Sequence, residues 1–99
     1  MIVNINLRNK TVVIIGGGKE AQKRINSLLK QNCKIIVISE YVDSQIIKLV
    51  KTNKIILIKE KIQDKKFISK LKPNMIITTT DDKKINQKII NNAKKRNIL

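Results

Sequence analysis

Histidine is absent from this 99-residue chain, and the only aromatic residues are Tyr41 and Phe67. Without histidine there is no Ser-His triad and no histidine to activate a cysteine, and a zinc site loses its usual nitrogen ligand. No metal site is expected. Cys33 is the single cysteine, so no internal disulfide forms, which suits a reducing cytosol. It reads as a small buried residue rather than a nucleophile. Long apolar runs are missing as well, which excludes a signal peptide, a transmembrane helix and a membrane partner; the expected location is cytoplasmic. Acidic residues are scarce: 7 Asp and Glu stand against 22 Lys and Arg, a formal charge of +15. Such a charge raises the question of nucleic acid. Yet lysines lie along the whole chain, arginine occurs only at Arg8, Arg24 and Arg96, and no aromatics are interleaved to stack bases. Lys, Ile and Asn share A/T-rich codons and make up roughly half the chain, well above usual usage. Biased base composition is the expected source of the charge, and nucleic acid is not expected as a partner.

What is present is an alternation of short aliphatic runs with helical patterns. Val12 to Ile15 reads as a strand, β-branched and closed by glycine. Ala21, Ile25, Leu28 and Leu29 then share one helical face, and Asn32 reads as a stop. Ile35 to Ile38 is a second strand. Asp43 or Ser44 caps a helix carrying Ile46, Ile47 and Val50, broken at Thr52 to Lys54. Ile55 to Ile58 is a third strand. Phe67, Ile68 and Leu71 suggest a short helix opening near Asp64 and ending before Pro73. Met75 to Thr79 is a fourth strand. Asp81 or Asp82 caps a last helix with Ile85, Ile89, Ile90 and Ala93 on its inner face, and Ile98 and Leu99 read as the start of a fifth strand. The N-terminal stretch, residues 1–10, has room for a short segment before the first strand. The fold class is therefore α/β: a doubly wound, Rossmann-like parallel sheet in three α/β/α layers, within one domain spanning 1–99.

All three glycines sit together, in "TVVIIGGGKEAQKR". Gly16, Gly18 and Ala21 make G-x-G-x-x-A between a strand and a helix, the context the dinucleotide fingerprint requires. Gly16 permits the tight turn, Gly18 lets backbone amides approach a pyrophosphate, and Ala21 lets the helix pack close to the sheet. The helix N-terminus at Lys19 and Glu20 offers unpaired N–H groups to phosphate. The candidate cofactor site thus holds Gly16, Gly17, Gly18, Lys19, Glu20 and Ala21. Ser39 and Glu40 join it after the second strand, where a carboxylate meets the adenosine ribose and favours NAD over NADP. Thr79 and Thr80 join it from the end of the fourth strand, where hydroxyls can reach a ribose or the nicotinamide amide.

Two segments together resemble one family. "VVIIGGGKEAQKRINSLLKQNCKIIVIS" is similar to the opening of the precorrin-2 dehydrogenase family, the N-terminal domain of sirohaem synthases. "IITTTDDKKINQKIINNAKKRNIL" resembles the same family's A-T-D-D-x-x-x-N segment, matched by Thr80, Asp81, Asp82 and Asn86. The resemblance implies an NAD-dependent oxidation of precorrin-2 to sirohydrochlorin in sirohaem biosynthesis. NAD is the cofactor, the carboxylate-rich tetrapyrrole is the substrate, and Gly16, Gly18 and Ala21 lie at the pyrophosphate, with Thr79 and Thr80 near the nicotinamide. The chain departs from the family at Thr78 and Thr79, where alanines are usual, and at Glu40, often proline there. In the family the last strand runs on to an aspartate proposed as general acid or base; here the sequence ends at Ile98-Leu99, so a truncation before that residue and before the dimerisation region is the expectation. The catalytic residue is accordingly unassigned, and a homodimer is left open. The alternative reading is a non-catalytic NAD(H)-binding module or partial enzyme.

Overall fold

The computed structural model describes residues 7–61, 70–95 and 98. Four strands run through it: β1 (Thr11–Ile15), β2 (Lys34–Ile38), β3 (Ile56–Ile58) and β4 (Met75–Thr78). They form one parallel sheet in the order β3-β2-β1-β4. Three α-helices lie wholly within the described residues: α1 (Lys19–Leu28), α2 (Ser44–Lys51) and α3 (Lys83–Lys95). The α/β Rossmann-like fold read from the sequence is the one observed.

The alternation of side chains along a strand builds two cores. Val12, Ile14, Ile35 and Val37 point to the face covered by α1 and α2 through Ala21, Ile25, Leu28 and Ile46. Val13, Ile15, Ile36 and Ile38 point to the opposite face, where Ile89 of α3 meets them. Both faces of β1 and β2 are dry, which is why these strands read as unbroken aliphatic runs. β-Branched isoleucine and valine suit the pleated surface, and with almost no aromatics they fill nearly all of it.

Strand order reverses at β1. Two crossovers place β2 and β3 to one side of it, and the next places β4 on the other side. The loops after β1 and β4 therefore part at the carboxyl edge and leave a crevice, the usual ligand position in open α/β sheets.

Local expectations hold in most places. Asn32 adopts the left-handed conformation (φ 55) after the 3₁₀ turn Leu29–Gln31, as a helix stop should. Asp43 is the N-cap residue of α2, although its side chain makes no capping bond. Asp82 caps α3, its Oδ1 accepting the Ile85 N–H at 3.1 Å. Leu7 is buried in the first core, ahead of β1.

Several details differ. β2 begins one residue early at Lys34, and β4 ends at Thr78. Ile55 is buried but precedes β3. Ile90, assigned to an inner face, is partly exposed, as is Ile47 of α2, because the buried stripes of these helices are narrow and centre on Ile89 and Ile46. Ile98 does not begin a strand: its N–H closes the end of α3 by bonding to the Ala93 carbonyl at 2.8 Å. Leu99 lies outside the described residues, as do Asp64, Phe67 and Ile68 of the short helix expected before Pro73; Lys70 and Leu71 are helical.

Ile25 has no solvent exposure and sits between α1 and the sheet. Ile25→Ala is expected to destabilise the fold by about 2–5 kcal/mol, read as a lower urea midpoint with an unchanged slope.

Candidate cofactor site

The crevice is built from the carboxyl ends of β1, β2 and β4. A cleft of about 390 Å³ is lined by Gly16, Gly17, Gly18, Lys19, Glu20, Ser39, Thr79, Thr80 and Asp81. A second hollow, of about 190 Å³, adjoins it through Gly16, Ser39 and Thr80 and adds Glu40, Glu60, Lys61, Asp82 and Ile85.

The three glycines do three different things. Gly16 has φ +121, a backbone that side chains rarely adopt, and a Cβ there would strike the Thr79 hydroxyl. Gly17 lies under the β2–α2 loop: a Cβ would run into the Tyr41 carbonyl and Val42, and its own carbonyl accepts the Asp43 N–H at 2.8 Å. Gly18 is the N-cap of α1, and a Cβ there would meet no protein atom within 4 Å. The fold explains the first two glycines; the third keeps open space beside a helix end.

That helix end has the chemistry of an anion site. The first N–H groups of an α-helix have no acceptor within the helix, and Gly18 brings no side chain to cap them. The positive end of the helix dipole points the same way. Lys19 adds a cation at the rim. Glu20 is the opposing charge, and Arg24 sits 3.4 Å from it, one turn along, both side chains about half exposed. Such a pair contributes little stability but leaves less uncompensated negative charge beside the cleft. Ala21 does not line the cleft; it is fully buried beneath it and sets the closeness of α1 to β1.

The walls are tied by hydrogen bonds. Thr79 donates from its N–H (2.8 Å) and from its hydroxyl (2.9 Å) to the Ile15 carbonyl. Its hydroxyl proton is thereby spent on β1, leaving only lone pairs for a ligand. Asn86 holds Thr80 from both sides: its amide donates to the Thr80 carbonyl at 2.9 Å, and its Oδ1 accepts the Thr80 hydroxyl. This gives the Thr80…Asn86 spacing a physical reason, a loop pinned to the helix that follows it. The Ser39 hydroxyl donates to the Tyr41 carbonyl at 2.6 Å and shapes the turn that carries Glu40. Glu40 is exposed and lies in the smaller hollow.

Glu60, Lys61, Asp81 and Asp82 were not singled out as lining residues by sequence reasoning. The available signal was positional, since each follows a strand of a parallel sheet. Cys33 lies apart from the cleft, before β2; burial pushes its thiol up, and its Sγ–H donates to the Leu28 carbonyl at 3.6 Å. Expected to be buried, it is partly so and packs against the first core. Among the described residues no cluster could hold a metal ion, and no helix is long and apolar enough to cross a membrane.

A family model described as "Putative NAD(P)-binding" matches residues 3–99. No curated protein matches the chain. Among 31 matching chains of solved structures is SirC, a precorrin-2 dehydrogenase, with a TM-score of 0.79 and 22% sequence identity over 91% of this chain and 44% of that one. The chain thus spans less than half the length of that structure, and at this identity the likeness establishes the fold.

The two inner glycines separate folding from binding. Gly17→Ala forces the β2–α2 loop away and is expected to cost about 1–3 kcal/mol. Gly18→Ala meets only solvent and should stay within about 1 kcal/mol of wild type in thermal unfolding.

Proposed function

The chain belongs to this NAD(P)-binding family, and on that premise we propose that its cleft holds the pyrophosphate of NAD against the N-terminus of α1. The observation carrying the reading is Gly18: a glycine that the fold does not require, facing open space at an uncapped helix end, at the point where the sheet order reverses. The residues fit the group. Amides at Lys19 and Glu20 would face the phosphates, and Lys19 would pair with them. Glu40 would accept hydrogen bonds from the adenosine ribose hydroxyls and repel a 2′-phosphate, which favours NAD over NADP. Thr79 and Thr80 would stand near the nicotinamide half, Thr79 as an acceptor and Thr80 fixed by Asn86. Ala21 would act from below, through packing.

When bound, NAD supplies a hydride acceptor. The substrate we propose is precorrin-2, which on oxidation to sirohydrochlorin gives a hydride to NAD and a proton to solvent or a base. The fold likeness to SirC and the Thr80-Asp81-Asp82…Asn86 segment support this substrate. This chain's residues would bind and orient the cofactor, and nearness of the two reactants lowers the barrier even before acid or base catalysis is added. A second reading is an NAD(H)-binding module without turnover of its own, in keeping with a family model described only as NAD(P)-binding.

Calorimetry of NAD binding to wild type and Gly18→Asp tests the cofactor site. The aspartate puts a side chain and a negative charge where the pyrophosphate would lie, and binding is expected to fall at least about 100-fold in a variant with an unchanged circular dichroism spectrum. Absence of binding in wild type would overturn the proposal. Precorrin-2 and NAD added to the chain then separate the two readings: NADH absorbance rising above the protein-free control is the dehydrogenase outcome, and binding without it is the module outcome.

A further inference from the structure

Parallel topology sorts the carboxylates among the described residues to one edge of the sheet and leaves the other edge to lysines, in a way the linear order conceals. Glu20, Glu40, Asp43, Glu60, Asp81 and Asp82 are the carboxylates among the described residues, and every one follows a strand or opens a helix at the carboxyl edge of the sheet. The opposite edge has none among the described residues. There, one lysine leads the chain into each strand. In sheet order they are Lys54 before β3, Lys34 opening β2, Lys10 before β1 and Lys72 before β4, all exposed. Strands lie about 4.8 Å apart, so the row is roughly 15 Å long.

The row is held in place by backbone. The Lys34 N–H bonds to the Lys10 carbonyl at 2.8 Å, and Asn74 exchanges two bonds with Thr11, through its N–H at 2.8 Å and its Oδ1 at 2.9 Å. Left-handed turns at Asn9, Asn32, Asn53 and Lys72 all fall at this edge. Lys30 and Lys51 stand at the carboxyl ends of the first two helical segments, where the helix dipole favours a cation. Strand ends have little net dipole, so the four aligned lysines gain no such compensation. Four like charges within such a span repel one another, and a line of anions relieves that cost.

We propose that the amino edge of the sheet, across from the cofactor cleft, docks the phosphate backbone of a nucleic acid duplex without reading its sequence. Lysine ammonium groups on flexible stems suit phosphates, and the asparagine amides in the same turns donate to phosphate and sugar oxygens. No aromatic side chain lies at this edge among the described residues to stack bases or enter a bilayer; Tyr41, the most exposed large hydrophobic residue, belongs to the other edge.

Fluorescence anisotropy with a labelled 20-base-pair duplex across a salt series tests this. Wild type is expected to bind with a log–log salt slope of about −3 to −4, the release expected for about four phosphate contacts. The combined variant Lys34→Glu, Lys54→Glu and Lys72→Glu should lose affinity about tenfold or more. A control with the same net charge, Lys23→Glu, Lys59→Glu and Lys88→Glu, should lose less than about threefold. Should the first variant fail to fold by circular dichroism, the Lys→Gln version at the same three positions is read instead, with the slope magnitude reduced by about 2–3. Equal losses in edge variant and control, no wild-type binding at physiological salt, or tighter binding to anionic phospholipid vesicles than to duplex would each overturn the proposal.

Discussion

The end of β1 is the point on which the site depends. The Ile15 carbonyl accepts two hydrogen bonds from Thr79, one from backbone and one from the hydroxyl. One residue on, the Gly16 N–H donates to the Ile38 carbonyl at 3.0 Å. Strand β1 is thus tied to β4 on one side and to β2 on the other, at the last position before the chain turns. A side chain at residue 16 would break this arrangement by striking the Thr79 hydroxyl. Every wall of the cleft is reached from that joint.

From this joint the glycine run distributes distinct duties along three consecutive residues. Gly16 takes a backbone angle and a close contact; Gly17 takes a second close contact, with the loop that carries Ser39 and Glu40; Gly18 is left facing the opening. Packing in the two cores holds the frame rigid enough for these contacts to matter. The α1 side is anchored by Ala21 and Ile25, both without exposure, and the α3 side by Ile89. Asn86 carries that anchoring back to the cleft, since it belongs to α3 and grips Thr80.

Much of this was legible in the sequence because it rests on local patterns. Unbroken aliphatic runs marked β1 and β2 to within a residue, the period-3.6 spacing marked the buried face of α1, and Asn32 was recognisable as a stop and Asp81 or Asp82 as a cap. The ends of short elements were less legible. Ile90 was expected on the inner face of its helix, but which of two adjacent isoleucines is buried depends on how the helix rolls against the sheet. Ile98 looked like a strand, but its N–H is taken by the last turn of α3. The roles of Gly17 and Thr79 were hidden because each depends on a partner distant in sequence: residue 41 in one case and residue 15 in the other.

By itself, the sequence determined the element order, the aliphatic character of both cores and the placement of a glycine turn between β1 and α1. These follow from short-range chemistry: β-branching, amphipathic spacing, and the conformational freedom of glycine. Only the tertiary structure decided which side chains meet at the carboxyl edge, which hydroxyls are spent on the backbone, and how the charges divide. The lysines are spread evenly along the chain. Among the described residues, one lysine before each strand falls at the amino edge because parallel strands all begin there, while the carboxylates lie at the other edge, where loops and helix starts also carry Lys19, Lys59, Lys61, Lys83 and Lys84. The physical reason is the crossover connection, which returns the chain to the same edge before every strand and aligns there lysines that are far apart in sequence.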